Sequence, residues 1–245
     1  MGIRNKKNHI EKIDRKYLWH PFTQMKEWMR ESPIIITEGR GSFLKDIYGK
    51  WYLDGISSLW VTVHGHRKED INRAVKEQLD RIAHSTLLGL SHPPAIELAE
   101  KLINLVNSRL SNPPVSPFTK GGRRGINNSE LRTLNFKLSR VFYSDNGSTA
   151  VEIALKIAFQ YWQHKGNKHK KKFLSLNNAY HGDTIGAVSV GGIDMLHKIF
   201  SPMLFDSFKA PSPYCFRCEL KLSHPSCGLA CLDTMERIMR KHKTE

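Results

Sequence analysis

The sequence predicts an α/β fold, and three observations carry that prediction. Residues 141–176 run strand, turn, helix, strand, the order of a parallel α/β unit. Two stretches before it place apolar residues at helical spacing. A cluster of short apolar runs broken by turn residues lies nearer the N-terminus.

In chain order, Pro33–Thr37 is a short apolar run, and Ser42–Asp46 and Trp51–Asp54 flank the turn Tyr48-Gly49-Lys50. Small antiparallel strands are predicted there. Over Lys68–His84 the apolar residues fall at 71, 74, 75, 79 and 82, with charges on the opposite face, as in a surface helix. Pro93-Pro94 opens a second helix, since proline suits a helix's first turn; Ile96, Ala99, Leu102, Ile103 and Val106 line one side. Ser111–Ser139 breaks the pattern with Pro113, Pro114, Pro117 and the run Gly121-Gly122-Arg123-Arg124-Gly125. A structureless loop of that length is predicted to be an insertion or a linker. Order returns with a strand at Val141–Ser144, turn residues Asp145-Asn146-Gly147, a helix over Ser148–His164 and a strand at Phe173–Leu176. Ala187–Val190 is short and apolar, and periodicity alone does not assign its type. A last helix is predicted from about Leu229.

The composition bounds the function classes. The chain has 245 residues, 40% hydrophobic and 25% charged, enough for one or two domains with a core. That excludes collagen-like, wholly disordered and disulfide-dense chains. No apolar stretch approaches the roughly 18 residues of a membrane span, so no membrane partner is expected. Met1–Lys16 is polar and basic rather than a secretory signal, and four cysteines fit a reducing cytoplasm. The net charge of +15 resides in three stretches, Met1–Lys16, Arg109–Arg140 and Lys165–Lys172. Separate patches of this kind read as solvated termini and loops rather than a nucleic-acid stripe.

Two turns could do chemistry. In Ser144-Asp145-Asn146-Gly147-Ser148-Thr149 the glycine lets the backbone approach a ligand closely. The unpaired N–H groups of a first helical turn then favour a phosphate. Walker and dinucleotide glycine spacings are absent, and Ser148 could equally be a plain helix cap. The second turn, Asn178-Ala179-Tyr180-His181-Gly182-Asp183, also follows a strand, where ligands of open α/β sheets bind. Tyr180 could stack on a flat cofactor or simply half-bury its ring. Cys215, Cys218, Cys227 and Cys231 form two close pairs with His224 between them. Structural zinc is one reading, but the separation is shorter than a usual zinc-ribbon loop. Free thiols are expected first.

Several blocks together resemble one family. They are Trp19-His20-Pro21-Phe22-Thr23-Gln24-Met25, Asp54-Gly55-Ile56-Ser57-Ser58-Leu59-Trp60 with His64-Gly65-His66, His92–Leu98, Tyr143–Ala150 and Tyr180–Thr184. In this order they resemble the class III, fold-type I aminotransferases that use pyridoxal 5'-phosphate (PLP). The first block is similar to that of the family's biotin-pathway member. The resemblance implies an incomplete fold-type I structure, with 1–65 in a small domain and 66–245 in a partial large PLP-binding domain interrupted by the 111–139 loop. It implies that Gly147 and Ser148 hold the PLP phosphate. Tyr180 would stack on the pyridine ring and face the substrate, with Asp183 supporting that pocket. Phe22, Leu59 and Trp60 would line the substrate site. Position 22 is often Tyr in this family, and position 59 is a second Trp in some members.

The implied reaction converts 8-amino-7-oxononanoate to 7,8-diaminononanoate, with adenosylmethionine or lysine as amino donor, in a homodimer. The family's Schiff-base lysine and pyridinium aspartate lie beyond position 245, and Lys156 and Lys165 do not match the lysine's place. The expectation is therefore a first half that is inactive alone, with an unpaired sheet edge. A decayed gene, or a split enzyme completed by a second polypeptide, would each account for that.

Overall fold

In the computed structural model, residues 3–111 and 137–245 are described. The chain divides into two compact units, 1–91 and 92–245.

The first unit opens with helices α1 (Ile3–Tyr17) and α2 (Met25–Trp28). Asp14 is buried at the end of α1. Its carboxylate lies 3.1 Å from His20 Nε2 and accepts from Trp28 Nε1 at 3.0 Å. The His20 and Trp28 rings lie 4.3 Å apart, so the Trp-His-Pro block closes the corner between the two helices. Strands β1 (Ile36–Arg40), β2 (Phe43–Asp46) and β3 (Trp51–Leu53) form an antiparallel meander, with Arg40 opposite Phe43 and Lys45 opposite Trp51. The predicted first strand starts at Ile36; Ile34 and Ile35 lead into it. Asp46 closes the β2–β3 turn, accepting from the N–H groups of Tyr48 (2.8 Å) and Lys50 (2.9 Å) and from Tyr52 Oη (2.9 Å). Burial raises this carboxyl's pKa, but those hydrogen bonds outweigh it and hold the group below its ordinary value. Helix α3 (Glu69–Leu79) follows, with Glu69 and Asp70 in its first turn, where the helix dipole favours acids.

The second unit begins with α4 (Pro93–Ser111), whose Ala95 carbonyl accepts from Tyr143 Oη at 2.7 Å. The loop predicted over 111–139 lies, from 112 to 136, outside the described residues. Helix α5 (Gly147–His164) leads to β4 (Leu174–Leu176). Helices α6 (Ile185–Val190) and α7 (Asp194–His197) and a 3₁₀ turn, Lys198–Met203, then cross over to β5 (Phe208–Ala210). Strands β4 and β5 pair in parallel, Leu174 opposite Phe208, so a parallel pair is present, between β4 and β5 rather than across the predicted 141–176 unit. Ala187–Val190 resolves as helix, and it is covered: Ala187, Val188 and Val190 are, with Ala210, the buried apolar side chains among the described residues. Lys209 ties the crossover down, donating to Ser175 Oγ (2.9 Å), to the Ser189 carbonyl (3.2 Å) and to that of Gly191. Helix α8 (Ala230–Lys241) packs on β5.

One predicted strand is absent. Val141–Ser144 alternates half-buried with exposed residues, as a strand does, yet it makes no ladder among the described residues. A strand is defined by its neighbour, and none is described beside it.

Candidate functional site

The α5 N-terminus is built by a reciprocal cap. Asn146 accepts from the Thr149 N–H at 3.0 Å, and its own N–H reaches Thr149 Oγ1 at 3.1 Å. The cap satisfies one first-turn donor, and those of Gly147 and Ser148 have no carbonyl a turn earlier in the helix to bond. Nothing stands within 4 Å of where a Cβ on Gly147 would be, so the approach over this turn is open. The turn after β4 meets the same helix end. Ser148 Oγ accepts from the Asp183 N–H at 3.3 Å, which leaves the hydroxyl proton free to donate. Gly182 is buried at φ +117°, and a Cβ there would lie 2.6 Å from Ser148 Cβ and 2.8 Å from its Cα. The two predicted turns therefore touch, and a glycine is what allows it.

Around that junction, Tyr180 Oη donates to Asp183 Oδ2. This contact, with a smaller contribution from burial, raises the phenol's pKa above the ordinary tyrosine value. Asp183 Oδ1 lies 3.3 Å from His197 Nε2. Glu152, one turn into α5, accepts from the Gly186 N–H at 2.7 Å and pins the start of α6. The N–H donors and hydroxyl suit a phosphate, and Tyr180, 42% exposed, offers a ring face beside it.

The structure thus brings Gly147, Ser148, Tyr180 and Asp183 together. Sequence reasoning missed His197 and Glu152. Glu152 reads as a solvent-facing helical acid, and His197 carries no motif, so neither offered a signal. Phe22, Leu59 and Trp60 belong to the first unit. Phe22 is exposed with φ +50°. Leu59 and Trp60 end a left-handed turn over Ser57–Trp60 and are also exposed. Asp54 anchors that turn, accepting from the Ser58 N–H at 2.9 Å and Ser58 Oγ at 2.8 Å, with His66 Nε2 at 2.8 Å. The Ser58 N–H, followed by His66, lowers the Asp54 pKa from 3.8 to about 2.

The four cysteines are unpaired and, with His224, line one small cavity of about 40 Å³. Among the described residues no three His, Cys, Asp or Glu side chains are grouped as a metal site would group them. No helix among them is long and apolar enough to cross a membrane.

Residues 24–245 match the family described as Aminotransferase class-III. The chain is 48% identical over 233 residues to the adenosylmethionine-8-amino-7-oxononanoate aminotransferase of Geobacter sulfurreducens, covering 95% of this chain and 45% of that one. The crystal structure of the Methanocaldococcus jannaschii enzyme of that name superposes with a TM-score of 0.76 at 39% identity, covering 98% of this chain and 45% of that one. An amine transaminase from an uncultivated Pseudomonas species, crystallised in its PLP-bound form, gives 0.74 at 30% identity over 92% of this chain and 45% of that one. The chain spans about half the length of the relatives it matches.

Proposed function

The chain belongs to the class-III aminotransferases, and from that premise we propose that it forms the N-terminal part of the enzyme that transaminates 8-amino-7-oxononanoate to 7,8-diaminononanoate. Its fold is the PLP-dependent transferase fold type I, present in part. The observation that carries the proposal is the junction of Gly147, Ser148, Gly182 and Asp183. There an open, donor-rich helix end and a tyrosine ring stand together, as a phosphorylated aromatic cofactor requires.

PLP, when bound, supplies an electron sink for transamination. The N–H groups of Gly147 and Ser148 and the Ser148 hydroxyl would hold its phosphate. Tyr180 would cover its ring, and Asp183 would fix the tyrosine's proton on Oη. Phe22, Leu59 and Trp60 are proposed to contact substrate. The amino donor is adenosylmethionine or lysine. A homodimer and a cytoplasmic location complete the reading, in line with four unpaired cysteines.

The chain spans about half the length of its relatives, so what is proposed of the residues here is that they bind PLP, turnover being a property of the whole enzyme.

The test is PLP binding by fluorescence, with inorganic phosphate as competitor and unphosphorylated pyridoxal as control. PLP should bind, phosphate should displace it, and pyridoxal should bind at least about tenfold more weakly, the loss of one or more charge-assisted hydrogen bonds. Equal binding of PLP and pyridoxal refutes the phosphate cradle.

A further inference from the structure

We propose that His197 is a positioning residue: by holding Asp183 Oδ1 it fixes the carboxylate rotamer that receives the Tyr180 hydroxyl. The inference rests on the PLP-site reading above and names a residue of that site which no motif marks. His197 ends α7, fourteen positions beyond Asp183, and its side chain is 9% exposed while that of Asp183 is 43% exposed. The partly solvated carboxylate is thus held on one side by a buried ring. The contact is 3.3 Å from Nε2 to Oδ1, and Oδ2 is left for Tyr180. The His197 ring also lies nearly parallel to that of Tyr180, with centroids 6.3 Å apart and 16° between planes.

The contact assigns the tautomer. Nε2 faces a carboxylate, so it carries the proton, and Nδ1 is then the bare nitrogen. Nδ1 is buried with no hydrogen-bond partner, and a second proton there would bury an unpaired N–H. His197 therefore acts as a single directed donor. Without it, Asp183 would turn toward water and share its oxygens between solvent and the phenol. Tyr180 would lose the contact that keeps its proton on Oη, and with it a fixed ring orientation.

The test is the titration of Tyr180 in the full chain without PLP. It is read by NMR from tyrosine labelled with ¹³C at Cζ, with Tyr180→Phe assigning the signal. His197→Phe keeps the ring and removes the donor, while His197→Gln places an amide N–H near the position of Nε2. In wild type Tyr180 should titrate above the ordinary tyrosine range. In His197→Phe it should fall by roughly half a pH unit or more, and His197→Gln should restore it. An unchanged or higher value in a folded His197→Phe chain overturns the proposal, and so does a folded His197→Gln chain that fails to restore it. If His197→Phe does not fold by circular dichroism, the Gln variant decides: a wild-type titration supports the proposal and an ordinary one overturns it. Long-range ¹H–¹⁵N spectra should place the His197 proton on Nε2, and a proton on Nδ1 alone overturns the assignment. Because these measurements use no cofactor, their failure counts against His197 alone. Failure of the wild-type chain to bind PLP counts against the proposed function instead.

Discussion

Gly182→Ala should separate the two turns that make the candidate site. The residue sits at φ +117°, where an alanine is strained by about 1–3 kcal/mol. Its new Cβ would also meet Ser148. The hydroxyl could swing aside, but Ser148 Cα at 2.8 Å is backbone in the first turn of α5 and cannot. That is about 0.6 Å short of the 3.4 Å where ordinary contact begins, so the helix end or the turn must shift. Overpacking of this kind costs about 1–3 kcal/mol. Together the two effects give about 2–6 kcal/mol. With a urea m-value of about 2 kcal/mol per molar, the unfolding midpoint should fall by about 1–3 M. The assay is urea titration by far-ultraviolet circular dichroism, paired with binding of inorganic phosphate. Gly147→Ala is the control, since nothing lies within 4 Å of its Cβ position; it should stay within about 0.5 kcal/mol of wild type. A Gly182→Ala chain with an unchanged midpoint and unchanged phosphate binding would refute the close approach of the two turns.

Two further outcomes are expected. Asn146→Ala removes half of the reciprocal cap and should cost about 1 kcal/mol, with faster amide exchange at Gly147–Thr149 in NMR and weaker phosphate binding; unchanged exchange would count against the cap. Asp54 has its carboxyl pKa lowered from 3.8 to about 2, so its contribution to stability is present above about pH 4 and is lost as pH falls toward 2. Thermal unfolding between those pH values should therefore steepen for wild type and flatten for Asp54→Asn, and identical acid limbs would remove Asp54 as the anchor of the left-handed turn.

Much of this architecture was legible from spacing. The helices over 69–79, 93–111 and 147–164 each bear an apolar stripe or a first-turn signal, and local physics suffices for them. The β2–β3 turn was legible because Gly49 takes φ +90° and Asp46 supplies the acceptor. Val141–Ser144 was misread for a different reason. Its alternation is intrinsic, but a ladder requires a partner strand that local sequence does not encode. At the site, the phosphate turn and the Tyr180–Asp183 turn were visible as glycine-bearing junctions after strands. Their mutual contact was not, since it depends on Gly182 packing against Ser148, thirty-four residues earlier. His197 was invisible because its role arises from a crossover that returns it to Asp183.

One side-chain amide joins α4 to the run toward Ser144. Asn107 of α4 takes both backbone groups of Leu138, donating to its carbonyl at 2.9 Å and accepting from its N–H at 3.0 Å. It mimics a strand neighbour across thirty-one residues of chain. One side chain thereby sets the end of α4 beside the run toward Ser144, an alignment that Asn107→Ala would release.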